Sequence, residues 1–100
     1  MSVTVIVRYQ AKPDKIDALL DFLTDLQPKL LDAGCKRISL LQDQTQKHHI
    51  FEIEEWESAE SHEAMVKQAE EASEFDQLAE LLEIPYAAYT LDTIHAMRGS

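Results

Sequence analysis

Val3-Thr4-Val5-Ile6-Val7-Arg8-Tyr9-Gln10 alternates β-branched or aromatic residues with a second set in strict register, the period of two expected of a β-strand. Reading outward from it, Pro13 suits the first turn of a helix, and Asp14 and Asp17 stand where acidic groups complement the helix dipole. Ile16, Leu19, Leu20, Leu23, Leu26, Leu30 and Leu31 then recur at helical spacing, which predicts a helix from about Pro13 to Ala33 stopped by Gly34. Pro28 lies inside that span, where it removes a backbone hydrogen bond and crowds the preceding turn, so a kink or a break is expected there.

Lys36 to Asp43 and His48 to Trp56 are extended runs separated by Gln44, Thr45, Gln46 and Lys47, a hairpin pattern. Ser58 is a candidate N-cap for a second helix, whose stripe is His62, Met65, Val66, Ala69 and Ala72. Ser73 and Asp76 resemble a capping box ahead of a short stripe of Phe75, Leu78, Ala79 and Leu82. After Pro85, Tyr86 to Ile94 reads as the last strand. The order β, α, β, β, α, β predicts an α+β fold, a ferredoxin-like sandwich with an antiparallel sheet and its first and third strands central.

Helices cover one face of such a sheet. The most apolar set, Val3, Val5, Val7, Phe51 and Ile53, is expected beneath them. Thr4, Ile6, Arg8 and Gln10 are then expected beside Ile50, Glu52, Glu54 and Trp56 on the second face, whose Ile and Trp residues call for cover by a second copy. This predicts a homodimer of the dimeric α/β-barrel type.

The 100 residues suffice for one domain, taken as 1–96, with 97–100 as a disordered tail or an added remnant. Apolar residues at 45% are too abundant for intrinsic disorder. The formal charge of −10 repels phosphate backbones and anionic lipid, so neither nucleic acid nor membrane is an expected partner. No apolar run is long enough to span a bilayer and no signal peptide is evident, so the expected location is cytoplasmic. The single Cys35 excludes an intrachain disulfide, and its place after a helix end favours packing over nucleophilic chemistry. No metal-site spacing, Rossmann fingerprint, P-loop or nucleophile elbow is present, and the chain is expected to carry no cofactor of its own. Glu70, Glu71 and Glu74 read as a solvated helix face.

Gly34 and Cys35 at the end of the first helix, Glu54, Glu55 and Trp56 closing the third strand, and Ser58 opening the next helix resemble the antibiotic biosynthesis monooxygenase family. The resemblance runs from Val3 to about Ile94. It implies a homodimer with a small pocket between sheet and helices, and cofactor-independent oxygenation of phenolic or quinol-like molecules in some members. Other relatives degrade haem, with the help of an Asn that this sequence lacks, or isomerise small sugars. Family members often place a His nine residues after the Trp, and here that position is Met65.

Candidate catalytic residues follow. His62, one helical turn before Met65, is placed to reach the same pocket, and imidazole is suited to accept a proton near neutral pH. Arg8 is a candidate anchor for a phenolate, its guanidinium held by Glu52 or Glu54 on the neighbouring strand, or else a partner in a structural ion pair. Candidate substrate-binding residues are Trp56 as a flat wall, Met65, Tyr86 and Tyr89 as donors to a quinol oxygen, and Glu54. The expected partner beyond a second copy is a small hydrophobic or aromatic molecule. The reading is an oxygenase-like enzyme, with a non-catalytic dimeric small-molecule-binding or stress-associated module as the alternative.

Overall fold

The computed structural model describes residues 2–99; Met1 and the Ser100 of the expected tail lie outside the described residues. The elements are β1 (Val3–Gln10), α1 (Ile16–Asp32), β2 (Cys35–Gln42), β3 (His49–Trp56), α2 (Ala59–Glu71), α3 (Glu74–Leu81) and β4 (Ala87–Leu91). The strands form one antiparallel sheet in the order β2-β3-β1-β4, so the first and third strands are central, as the ferredoxin-like order requires. The second helical region divides into α2 and α3. No helix is long and apolar enough to cross a membrane among the described residues.

The core lies between the helices and one sheet face. β1 contributes Val3, Val5, Val7 and Tyr9, and α1 packs Leu19, Leu23 and Leu30 onto them. β3 enters with the opposite parity from the one expected. Its register pairs Val3 with Trp56, Val5 with Glu54, Val7 with Glu52 and Tyr9 with Ile50, which puts Ile50, Glu52, Glu54 and Trp56 beneath the helices. All four are buried, whereas Phe51 and Ile53 look outward and are half-buried. A one-residue change of parity moves every side chain to the other face. It therefore corrects the expected composition of both.

α1 runs unbroken through Pro28, contrary to the expected kink or break. Pro28 is exposed and costs the helix one backbone hydrogen bond, while Leu23 and Leu30 on either side hold both halves against the sheet. The helix begins at Ile16 rather than at Pro13, which occupies the preceding turn. It ends at Asp32, capped by Ala33 and followed by Gly34, whose φ of +116° is unsuited to an L side chain. The Gly34 carbonyl accepts a hydrogen bond from the Glu57 backbone N–H at 3.2 Å, tying the end of α1 to the end of β3.

Ser58 caps α2 as expected, its Oγ accepting from the Ser61 N–H at 3.1 Å. Ser73 does not form the expected capping box. It takes a left-handed conformation with φ 58° and no side-chain cap bond, serving as the tight corner between α2 and α3. In the hairpin, Asp43 Oδ1 accepts from Thr45 N, Thr45 Oγ1 and Gln46 N, each at 2.9 Å. These bonds hold its carboxyl down at about 2. β4 is shorter than the expected Tyr86 to Ile94, and 95–99 carry no regular secondary structure.

Candidate functional site

Because Glu52 and Glu54 replace apolar side chains at two consecutive inward positions of a central strand, the space beneath the helices has a polar floor. A cavity of about 210 Å³ lies there. α1 supplies Phe22, Leu23, Leu26 and Leu30, and α2 supplies His62, Met65, Val66 and Ala69. Phe75 and Leu78 of α3, with Tyr86 before β4, close one side, and Val7 and Tyr9 of β1 lie beside Glu52 and Glu54 on the floor. A larger open groove of about 650 Å³ between α1 and α2 shares Leu26, Leu30, Met65 and Ala69 but has no aromatic ring in its wall. The smaller cavity, with its rings and carboxyls, is the better-formed binding site.

The floor is a short hydrogen-bonded array. Tyr9 Oη donates to Glu52 Oε1 at 2.7 Å, and Trp56 Nε1 donates to Glu54 Oε1 at 2.7 Å. Both carboxyls are nearly inaccessible to solvent, at 1% for Glu52 and 3% for Glu54. No N–H or O–H of the other described residues reaches Glu52 Oε2. Burial, then the charge of Glu54, pushes the Glu52 carboxyl up to about 8, helped by the hydrogen bond that its protonated form makes to Glu54 and against the opposing pull of the Tyr9 hydrogen bond. Near neutral pH Glu52 therefore holds a proton for much of the time. Burial, reinforced by Glu52, also drives the Tyr9 hydroxyl well above its ordinary range.

The walls are aromatic. Tyr86 stacks on Phe75 with ring centroids 5.7 Å apart, and Tyr9 meets Tyr86 at 6.2 Å with the planes tilted by 41°. Burial, with Glu70 nearby, raises the Tyr86 hydroxyl. Trp56 packs edge-on against His62 at 5.2 Å, which fixes the imidazole at the start of α2. Cys35 is buried near the end of the sheet, where loss of water raises its thiol to about 11, a packing residue rather than a nucleophile.

Of the residues singled out from the sequence, His62, Met65, Tyr86 and Glu54 meet around this cavity. Trp56 stands behind it, holding Glu54 and His62. Arg8 and Tyr89 do not reach it. Arg8 is exposed on the outer sheet face opposite Phe51, and Tyr89 pairs with Ile6 on that same face. The expected Arg8 pairing with Glu52 or Glu54 is absent because the inverted β3 carries those carboxyls through to the other side. The ion pair found among the described residues joins Lys29 Nζ to Glu74 Oε1 at 2.7 Å on the surface. Tyr9 and Glu52 are the site residues that the sequence reading did not place here. The available signal was parity: Glu52 and Glu54 alternate in step with Ile50 and Trp56, the residues most in need of burial.

Comparison with known proteins adds to this geometry. The sequence pattern of the antibiotic biosynthesis monooxygenases matches residues 2–75. The chain belongs to that family. No curated protein matches it. Among solved structures, a protein of Mycobacterium tuberculosis is 21% identical with a TM-score of 0.84, the match covering 98% of this chain and 100% of that one. A Pseudomonas aeruginosa protein is 27% identical with a TM-score of 0.77, covering 94% and 95% of the two chains. A Nitrosomonas europaea protein whose description carries the family's name is 17% identical with a TM-score of 0.82, covering 94% and 91%. The structural matches extend the likeness beyond residue 75 to almost the whole chain. Membership in the antibiotic biosynthesis monooxygenase family points to monooxygenase-like or small-molecule-binding function. It leaves the substrate to be read from the cavity.

Proposed function

We propose that the protein oxygenates a small phenolic or quinol-type molecule in the cavity between sheet and helices, working as a cytoplasmic homodimer. The observation that carries this reading is the aromatic cavity with His62 in its wall and a buried acid pair on its floor. A flat ring fits among Phe22, Phe75 and Tyr86, and His62 is the imidazole available to accept a phenolic proton.

The reaction needs dioxygen as oxidant. Transfer of the phenolic proton to His62 gives an electron-rich phenolate, and its ortho or para carbon forms a C–O bond with dioxygen. Loss of the hydrogen from that carbon and cleavage of the O–O bond leave a second carbonyl on the ring. The departing oxygen takes that hydrogen and the proton held by His62, so phenol plus dioxygen gives quinone plus water. The largely apolar walls of the cavity limit the water around the phenolate and orient the ring.

Oxygen uptake and quinone absorbance across a panel of phenols and quinols test the proposal. With folding intact, His62→Ala is expected to slow oxidation roughly 100 to 10,000-fold, the usual contribution of a general base. Wild-type rates in His62→Ala would assign the proton to another group. Met65 at the family's usual His position favours a second reading, a dimeric module that binds a small molecule without turning it over. Inertness of both the wild type and Met65→His across the panel would select that module.

A further inference from the structure

We propose that the head group recognised on the cavity floor is a cation, so that the ligand is a one-ring aromatic molecule carrying an alkylammonium arm. This deepens the reading of the same cavity as a phenol site and rests on its being a ligand site.

The argument begins with the charges that line the cavity. Glu52, Glu54 and Glu74 contribute to its wall, and no Lys or Arg among the described residues does. The hydrogen bonds from Tyr9 and Trp56 satisfy one oxygen of each inward carboxyl and bring no positive charge. No N–H or O–H of the other described residues reaches Glu52 Oε2 while the residue is 1% exposed, so apart from Tyr9 its hydrogen-bonding partner is the neighbouring Glu54 carboxyl, which it can meet only by carrying a proton. A buried ionised carboxyl requires a charged partner, a set of donors or a proton. The protein supplies Glu52 with one donor and places a second carboxyl beside it. In the protein alone a proton meets the need; a bound ligand with a suitable head can meet it instead.

Three ligand heads differ in what they offer there. A carboxylate adds a third negative charge to a site of low polarity. A neutral hydroxyl gives Glu52 Oε2 a donor but leaves the charge of the pair uncompensated. An ammonium supplies donors and compensates the pair, and Tyr9, Tyr86 and Phe75 bring aromatic rings to the same wall. The titratable groups around Glu52 are Tyr9 from β1, Glu54 from β3, His62 from α2, Glu74 from α3 and Tyr86 before β4. α1 lines the cavity with apolar side chains alone, since its Lys29 turns to the surface to meet Glu74.

A matched series tests this on the intact protein: tyramine, tyrosol and para-hydroxyphenylacetate, three phenols alike except for an ammonium, a hydroxyl or a carboxylate on the arm. By calorimetry near neutral pH, tyramine is expected to bind at least about tenfold more tightly than tyrosol, with the carboxylate weakest. Because the ammonium displaces the proton of Glu52, tyramine binding should release a proton to buffer and tighten as pH rises toward 8, while the alkylammonium itself stays charged. Glu52→Gln, which keeps the shape, should erase the preference of tyramine over tyrosol. Equal or tighter binding of tyrosol or the carboxylate, a preference that survives Glu52→Gln, or no binding by any of the three would overturn the inference. Tyrosol oxidised with no preference for tyramine would sink the cation head and spare the oxygenase. Tyramine bound selectively with none of the three oxidised would do the reverse.

Discussion

Glu52 is the residue at which the demands of folding and of the site diverge. A carboxyl displaced from an ordinary 4.5 to about 8 binds its proton more tightly in the folded than in the unfolded chain. The sign of the linkage follows: below about 4.5 both states are protonated and Glu52 has no net effect, and between that value and 8 the unfolded state loses its proton first. Stability therefore falls as pH rises through this window and levels off above it, by on the order of a few kcal/mol. Thermal melts at about pH 5 and pH 8 should show a lower midpoint at the higher pH, and Glu52→Gln should reduce that drop and melt higher than wild type at pH 8. A wild-type drop fully retained in Glu52→Gln would assign the destabilisation to another group. Asp43 acts in a separate window: its lowered value of about 2 means that its contribution is lost only as pH falls from the ordinary 3.8 through 2. The sequence displayed Glu52 plainly, but not the absence of a cation near it, because that depends on the parity of β3 relative to the strand that carries Arg8.

At the scale of elements, the junction of α1, β2 and α2 turns on Gly34. A Cβ there would lie 3.2 Å from Ser61 Cβ and 3.4 Å from Glu57 Oε1, on a backbone already at φ +116°. Gly34→Ala is therefore expected to destabilise by about 1–3 kcal/mol, read as a shift in the denaturant midpoint at unchanged slope. A midpoint within error of wild type would show that the corner relaxes freely. Gly34 was legible in the sequence because a helical stripe ends at it, and Ser58 because a cap residue precedes a new stripe. The element order was legible for the same reason: the periods of β1, α1 and the hairpin strands each have a single reading. The parity of β3 was not. His49–Trp56 alternates Phe51 and Ile53 with Glu52 and Glu54, and hydrophobicity alone sends the carboxyls outward. What decides the matter is the register with β1 and the burial of Ile50 and Trp56 at 0% each, which outweighs two acids once Tyr9 and Trp56 supply hydrogen bonds. Four of the expected site residues, His62, Met65, Tyr86 and Glu54, still meet at the cavity, while Arg8 and Tyr89 stand on the other side of the sheet because their strands point them there.

On the scale of the whole molecule, the inversion of β3 changes which residues argue for a second copy. Ile50 and Trp56, first expected to need cover from a partner, are covered by the chain's own helices. In exchange the outer face gathers Ile6, Phe51 and Ile53 at its centre, with Leu41, Tyr89 and Leu91 around them at 48%, 53% and 42% exposure. A contiguous apolar surface on a sheet that helices leave open is the feature a two-fold partner buries. Ile53 lies on a central strand, opposite Ile6 and Ser39, and no helix covers it. Ile53→Lys therefore places a charge that a free protomer can hydrate and that an apposed sheet would have to bury unpaired. Light scattering at micromolar concentration is expected to give twice the 11.4 kDa chain mass for wild type and the single mass for Ile53→Lys, with the fold retained by circular dichroism. Trp56→Phe provides the contrast, because it removes the donor to Glu54 inside the protomer and leaves the outer face untouched. It should lower the melting temperature without changing the mass. A wild-type protein that stays monomeric at high concentration would remove the dimer from the proposed function. Dissociation by Trp56→Phe but not by Ile53→Lys would mean that the sheet packs on its partner by some surface other than this one.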